Sequence, residues 1–264
     1  MRRQLCSSLL LLLSLASPAA AQRRGDQARL SFGIGLGYNG VTDIWQVDAQ
    51  ELIDNLARDT ASIFRNVRPT IGITFIAAYY PDPHWGLTGE AHLIGLGYSD
   101  GCTLRSSSGS SQNQQVCTSI NGDDSPGTAV AVTVGGIYRP FAWTDIQPYL
   151  RANMGLLVSQ QSAIRMKGNF TRPDSQQVDY YVYQDKHPAS LAPTLGLGAG
   201  ITAFVGRSYQ VRFEMKDNLV SLEHVLGAVS FPSAEPRSER HLHHVFSMTA
   251  AVEVVLERKR GRRY

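Results

Sequence analysis

Residues 28–38 read ARLSFGIGLGY, in which large apolar side chains alternate with residues that have almost no side chain. A period of two indicates a β-strand, because successive side chains of a strand point to opposite faces. The large positions are Leu30, Phe32, Ile34, Leu36 and Tyr38. The other face, made of serine and glycine, is too small and too uncharged to be typical of a surface that meets water.

The same alternation recurs along the chain, and together the segments predict eight strands. They are residues 28–38, 67–79, 86–98, 128–139, 146–158, 191–205, 209–216 and 243–257. Apart from the seventh segment, the second face is mostly Gly, Thr, Ser and Ala, whereas a soluble barrel would place Lys, Glu and Gln there. The apolar face therefore points outward into lipid, and strands of about 9–11 residues are long enough to cross a bilayer.

The connections between these strands alternate strictly between short and long. Short turns contain YPDPHW, PFAWTD and GRS, and the long connections are residues 39–66, 99–127, 159–190 and 217–242. An up-and-down arrangement places all short turns at one rim and all long loops at the other. The pattern predicts an all-β protein, an eight-stranded antiparallel up-and-down transmembrane β-barrel with short periplasmic turns and long external loops.

The N-terminus has the three parts of a secretory signal peptide. Arg2 and Arg3 precede the apolar stretch 9–13, and small residues lead to a cleavage site between Ala21 and Gln22. We therefore expect residues 1–21 to be a signal peptide, residues 22–257 the barrel and residues 258–264 a basic periplasmic tail.

Charge and cysteine usage agree with an exported barrel. Without the signal, 23 Lys and Arg face 22 Asp and Glu, so no nucleic-acid partner is indicated. Cys102 and Cys117 flank a Ser-, Gly- and Gln-rich stretch, and in an oxidising compartment such a pair predicts a disulfide. No metal site is predicted from the cysteines, because no second Cys or His pair has suitable spacing.

Five ionisable residues lie on the predicted lumen face, three to five positions above the periplasmic rim of their strands. They are Glu90, Arg151, Arg212, Glu214 and Glu253. Their similar height predicts one cluster, and charges in a narrow, poorly hydrated interior must pair. The cluster is either a static polar plug that holds the shape of the barrel or a gate for small ions.

A helix is predicted over residues 47–60, VDAQELIDNLARDT, in the first long connection. Asp43 or Asp48 would cap it, and Leu52, Ile53 and Leu56 would form an apolar face. It would be a lid on the barrel mouth or a contact surface for another molecule.

Polar residues near the outer rim give weaker signals. His241, His243 and His244 would be a wet rim or a metal site, and Ser247 with His243 forms two members of a hydrolytic set without a third. The pair Asp123-Asp124 indicates a turn, with a weak cation site as the alternative. We expect no cofactor, no metal and no enzymatic activity.

The signal peptide, eight alternating strands, three short turns and four long loops resemble the small bacterial outer-membrane barrels of the OmpA transmembrane domain, OmpX and OmpW type. The resemblance implies a monomeric barrel in the bacterial outer membrane, in contact with its lipid and lipopolysaccharide and inserted by the barrel-assembly machinery. One departure is that strand eight ends near Glu257, ahead of the basic tail, and not on a closing aromatic residue. A structural or surface-contact role is the leading hypothesis. A narrow passive pore is the alternative, and a lipid-modifying enzyme ranks third.

Overall fold

The computed structural model describes residues 29–40, 42–54, 57–95, 97–106, 108–122, 124–125, 127–160, 162–185, 190–205, 208–231 and 233–257. The signal peptide with its Ala21–Gln22 cleavage site, and the basic tail, lie outside these residues. The elements, in chain order, are β1 (Arg29–Asn39), β2 (Thr42–Asp54), β3 (Ala57–Val67), β4 (Thr70–Tyr80), β5 (Trp85–Ile94), β6 (Tyr98–Ser106), α1 (Ser111–Gly122), β7 (Asp124–Ser125), β8 (Ala129–Tyr138), β9 (Ile146–Ser159), β10 (Met166–Thr171), β11 (Gln177–Tyr183), β12 (Ser190–Val205), β13 (Tyr209–Val225) and β14 (Ser238–Glu257). Among the described residues, no helix has the length and apolarity of a helical membrane span.

Eight of the strands close into an antiparallel barrel in the order β1-β14-β13-β12-β9-β8-β5-β4. The first and last strands complete the cylinder by pairing from Arg29 with Glu257 to Asn39 with Ser247. All eight predicted membrane strands are confirmed. Closure pairs backbone groups all the way round, which a hydrocarbon environment demands.

Three strand ends differ from the prediction by four residues or more, for identifiable reasons. β13 and β14 run past the barrel rim, because they remain paired with each other as far as Val225 and Ser238. β5 ends at Ile94, four residues early, and Tyr98 instead begins β6 and pairs with Val67.

The barrel wall has an apolar exterior and a lumen of small, polar and ionic side chains. Ile71 is 72% exposed and Leu36 is 62% exposed on the outside, whereas Thr74 and Ser247 on the lumen side are buried. At the rim of the short turns, the rings of Trp85 and Tyr138 lie with their centroids 4.5 Å apart. An apolar band edged by aromatic side chains is the surface that a bilayer requires.

The predicted helix at 47–60 is wrong. Residues 47–54 belong to β2 and residues 57–60 to β3, and residues 55 and 56, with Leu56 of the predicted apolar face, lie outside the described residues. The antiparallel pair β2 and β3 joins β6 and β7 in a four-stranded sheet with order β2-β3-β6-β7. Register shifts between Asp43 and Trp45 and between Val47 and Gln50 interrupt the alternation of β2. The irregular spacing of apolar residues therefore resembled a helical stripe, and pairing with β3 outweighs that local preference.

The long connections fold together into a cap over the external rim, formed by β2, β3, β6, β7, α1, β10 and β11. Its core is one cluster that continues into the upper wall of the barrel, with Ile44, Trp45, Leu52, Ile63, Val116, Ile120, Met166, Tyr183, Val220 and Leu222 among its buried members. The cap therefore packs like a soluble domain on the barrel mouth.

The Cys102–Cys117 disulfide ties β6 to α1 within this core, with the two Cα atoms 5.2 Å apart. Replacing both cysteines by serine is expected to destabilise the cap by about 3 kcal/mol, because the unfolded cap regains the entropy of a closed loop. Limited proteolysis of the folded protein measures the effect as faster cleavage within the cap. The mobility of the unboiled barrel on a gel should not change. Equal cleavage rates for the two proteins would contradict the prediction.

Candidate functional site

The ionisable residues predicted to line the lumen meet in one continuous chain of ion pairs. Arg151 contacts Glu90 through Nη2, and its Nη1 lies 3.2 Å from Glu214 Oε1. Arg212 follows, with Nη1 3.6 Å from Glu214 Oε2 and Nε in contact with Glu253. Residues from four strands are thus joined across the interior.

Sequence reasoning left Lys216 out of this cluster. Its Nζ lies 2.7 Å from Glu90 Oε1 and extends the chain of charges toward the external end. The residue lies on the lumen face of β13, four positions beyond Arg212. The alternation along the sequence therefore indicates that Lys216 faces the lumen, but it does not indicate that Lys216 lies level with Glu90. The six residues Glu90, Arg151, Arg212, Glu214, Lys216 and Glu253 form what we call the plug.

Neutral side chains add hydrogen bonds to the plug. Tyr149 donates its hydroxyl to Glu214 Oε2 at 2.7 Å, and Gln210 donates an amide N–H to Glu253. The Arg212 guanidinium also lies 5.0 Å from the centroid of the Tyr149 ring. These partners matter, because a buried ion pair is better tolerated where its remaining donors and acceptors are matched. Arg151 Nε and the guanidinium nitrogens of Arg212 have no hydrogen bond within the described residues, so Arg212 is held by ion pairs and by the Tyr149 ring.

The glycines of the lumen face give the plug its space. A Cβ placed on Gly33 would lie 2.5 Å from Glu253 Cγ, and one on Gly200 would lie 2.5 Å from the Tyr149 hydroxyl. Long ionic and aromatic side chains thus lie over the bare backbone of the neighbouring strand, because Gly33 pairs with Glu253 and Gly200 pairs with Tyr149 in the sheet. This explains why bulky residues alternate with glycine in β1.

The plug is electrically balanced and almost fully buried. It holds three cations and three anions, and every one of these residues is at most 6% exposed. Removing one member would leave an uncompensated charge in a low-dielectric interior, which costs several kcal/mol. The arrangement suits a fixed polar core.

Below the plug, Arg139 lies at the periplasmic end of the lumen. Its guanidinium carbon lies 3.4 Å from the centroid of the Tyr80 ring, and Nη1 donates to Gln147 Oε1 at 2.9 Å. Ile137 and Tyr149 pack with Tyr80 in a small buried cluster at the same level. Side chains of the barrel wall thus narrow the lumen between the plug and this rim.

Above the plug, the core of the cap holds a second buried ion pair. Arg65 donates from Nε and Nη2 to the two carboxylate oxygens of Asp100, each at 2.6 Å. The same guanidinium lies against the rings of Tyr98 and Trp45. Burial raises the pKa of Tyr98 to about 12, so its phenol stays neutral in this core. The cap is thus closed by packed and paired side chains.

The histidines of the outer rim contact the backbone, an aspartate and one another. His243 Nδ1 lies 3.1 Å from the carbonyl oxygen of Asp43, and the rings of His224 and His241 lie 4.7 Å apart. His244 instead pairs with Asp217 at 2.8 Å. Within the described ranges, no three His, Cys, Asp or Glu residues are grouped to hold a metal ion. Asp123, the other acidic candidate, lies outside those ranges.

The hydrolytic pair is not brought together. The Ser247 hydroxyl accepts an N–H from the Asn218 amide at 3.0 Å, and it lies within 3.4 Å of the Lys216 carbonyl oxygen. His243 instead contacts the backbone carbonyl oxygen of Asp43 in β2 and the ring of His224. Ser247 is therefore held in the hydrogen-bond network of the lumen wall.

Comparisons with known proteins add a likeness of fold. No family model and no curated protein matches the chain. Among solved structures, Ail of Yersinia pestis aligns with a TM-score of 0.41 and 13% identity, over 87% of this chain and 99% of that one. OprG of Pseudomonas aeruginosa aligns with a TM-score of 0.42 and 10% identity, over 86% and 96%. Neisserial surface protein A gives 0.39 and 9%, over 84% and 96%. Identities and TM-scores this low transfer no function.

The molecule itself defines its class. A closed eight-stranded barrel, an apolar outer wall, aromatic side chains at the rim and short turns confined to one end are the features of an outer-membrane β-barrel. The protein is an integral barrel of the bacterial outer membrane.

Proposed function

We propose that this protein is a sealed barrel that carries a folded cap at the cell surface, with a structural or surface-contact role. The observation that carries the proposal is that side chains fill the barrel at two levels. The plug crosses the lumen with Arg151 paired to carboxylates on both sides, and the core of the cap covers the external mouth. A barrel of eight strands has an interior just wide enough for its own side chains.

A passive pore is the competing function, but the geometry of the plug favours a closed lumen. An ion path needs hydrated space beside its charged groups, whereas the charges of this plug contact each other and are almost fully buried. An enzymatic role has less support, because Ser247 and His243 serve separate contacts. The proposal therefore includes a non-enzymatic barrel.

We also propose how the chain is exported, processed and inserted into the membrane. Residues 1–21 direct export and are removed, residues 258–264 form a basic tail in the periplasm, and the barrel-assembly machinery inserts the chain as a monomer. Outer-membrane lipid and lipopolysaccharide surround the apolar wall. Support comes from the exposed side chains of that wall and from the three-part N-terminus.

Reconstitution in planar bilayers tests the seal directly. The purified full-length barrel should give no discrete current steps, whereas an open porin inserted under the same conditions provides the positive control. Protease added to intact cells should cleave within the cap and leave the periplasmic turns intact. Regular conductance steps from the unmodified protein would overturn the sealed barrel, and cleavage at the short turns would overturn its orientation.

A further inference from the structure

A small chamber lies in the lumen between the plug and the cap. Its volume is about 40 Å³, and its wall includes Asn39, Thr70 and His92 together with the apolar Leu157 and Val220. Glu90 and Lys216, at the top of the plug, also reach this wall. The chamber is thus bounded by polar groups from β1, β4 and β5 and by the lower surface of the cap core.

Three polar atoms of the chamber wall are buried without a hydrogen-bond partner on the described chain: Asn39 Nδ2, Thr70 Oγ1 and His92 Nε2. The side chains of Asn39 and His92 belong to residues that are 2% and 4% exposed. A buried donor or acceptor left unmatched carries its full desolvation penalty, so folded proteins almost always give such groups a protein or water partner.

The volume of the chamber and the charges in its wall favour water over an ion as the missing partner. A buried water needs roughly 10–15 Å³ of such space and two to four polar contacts, so about 40 Å³ suits two or three water molecules. An ion would need a net counter-charge in the wall. The charges of Glu90 and Lys216 oppose each other and are already paired at 2.7 Å.

We propose that this chamber is an internal water site, in which two or three ordered water molecules bridge Asn39, Thr70 and His92. The waters complete the hydrogen bonding at the junction of plug and cap. They stabilise the fold while remaining enclosed by the two closures, so the site stands whether or not the proposed cell-surface role is correct.

Replacing Thr70 by valine tests the site through the sign of its effect on stability. Valine has nearly the shape of threonine and lacks the hydroxyl. If water binds Thr70 Oγ1, the variant loses that bond, and the ratio of folded to unfolded protein should fall about five- to ten-fold in urea unfolding in lipid vesicles. If the chamber is dry, removing an unmatched hydroxyl raises the ratio, and the proposal fails.

Thr74→Val is the matched control on the same strand. Thr74 is fully buried and its hydroxyl also lacks a partner, but it is not part of the chamber wall. Its replacement should leave the ratio unchanged or raise it. Equal effects at Thr70 and Thr74 would overturn the water site.

A crystal structure of the unmodified protein grown in bromide provides a second measurement, which holds even if the valine variant does not fold. Two or three oxygen peaks within hydrogen-bond distance of Asn39 Nδ2 and His92 Nε2 are the expected result. An anomalous bromide peak would identify an anion site, and a chamber without density would identify a dry cavity. Either result would overturn the proposal.

Discussion

Replacing Arg151 with alanine is expected to lower the free energy of unfolding of the barrel by about 3–5 kcal/mol, the range found when one partner of a buried pair is removed. Arg151 contacts both Glu90 and Glu214 and is 3% exposed. Without it, the three carboxylates of the plug share the two remaining cations in a low-dielectric interior. The loss of charge balance, more than the loss of packing, accounts for the size of the effect.

Urea unfolding in lipid vesicles, followed by tryptophan fluorescence, measures the change. Arg165→Ala is the control, because Arg165 is exposed in the cap and its guanidinium contacts the hydroxyl and the ring of Tyr181. It should change stability by less than about 0.5 kcal/mol. The double replacement Arg151→Met with Glu214→Gln restores charge balance and should recover part of the loss. Equal stability of Arg151→Ala and the unmodified barrel would show that the plug contributes nothing to folding.

The barrel itself was predictable because lipid imposes a strict rule on each strand. Outward positions such as Phe32 and Leu150 must be apolar over the whole crossing, so a period of two is preserved through every strand. The same phase placed Arg151 and Glu253 in the lumen. The pairings between them depend on the stagger of the strands around the cylinder, which alternation does not reveal, and Lys216 was missed for that reason.

The cap was much less predictable, because its elements are stabilised by one another. β2 contains two register shifts, so its burial pattern follows neither a strand nor a helix period. The helix α1 did carry a local signal. Its buried residues Asn113, Val116, Cys117 and Ile120 are spaced three, one and three apart, which is one face of a helix. Most other residues of the segment are polar, so this apolar face is narrow and difficult to recognise from the sequence. Cys117 was assigned a role only in the disulfide.

The plug and the core of the cap lie one above the other along the lumen. Both must therefore be opened before ions can pass, and this predicts how variants of each should conduct. Replacing Arg151, Glu214, Arg212 and Glu253 together by serine removes two cations and two anions, so the charge of the lumen stays balanced while space opens. In the full-length chain this variant should still give no current steps in planar bilayers, since the cap core remains above it.

The geometry of the barrel also permits a chain with a disrupted cap. Asn39 and Thr70 are partners in the sheet, so a short turn can join Gly40 to Thr70 and replace residues 41–69. Deleting β2 and β3 removes Ile44, Trp45, Leu52 and Ile63 from the core of the cap. This chain alone should also remain closed, because its plug is complete.

Combining the two changes is expected to produce discrete current steps where each change alone produces none. Circular dichroism and the gel shift on boiling establish first that each barrel is folded. Steps from the serine variant in the full-length chain would mean that the cap does not seal. A silent, folded double variant would assign the closure to Arg139 stacked on Tyr80, which the four replacements leave in place. Current confined to the double variant would show that the cap blocks the lumen as well as covering the surface.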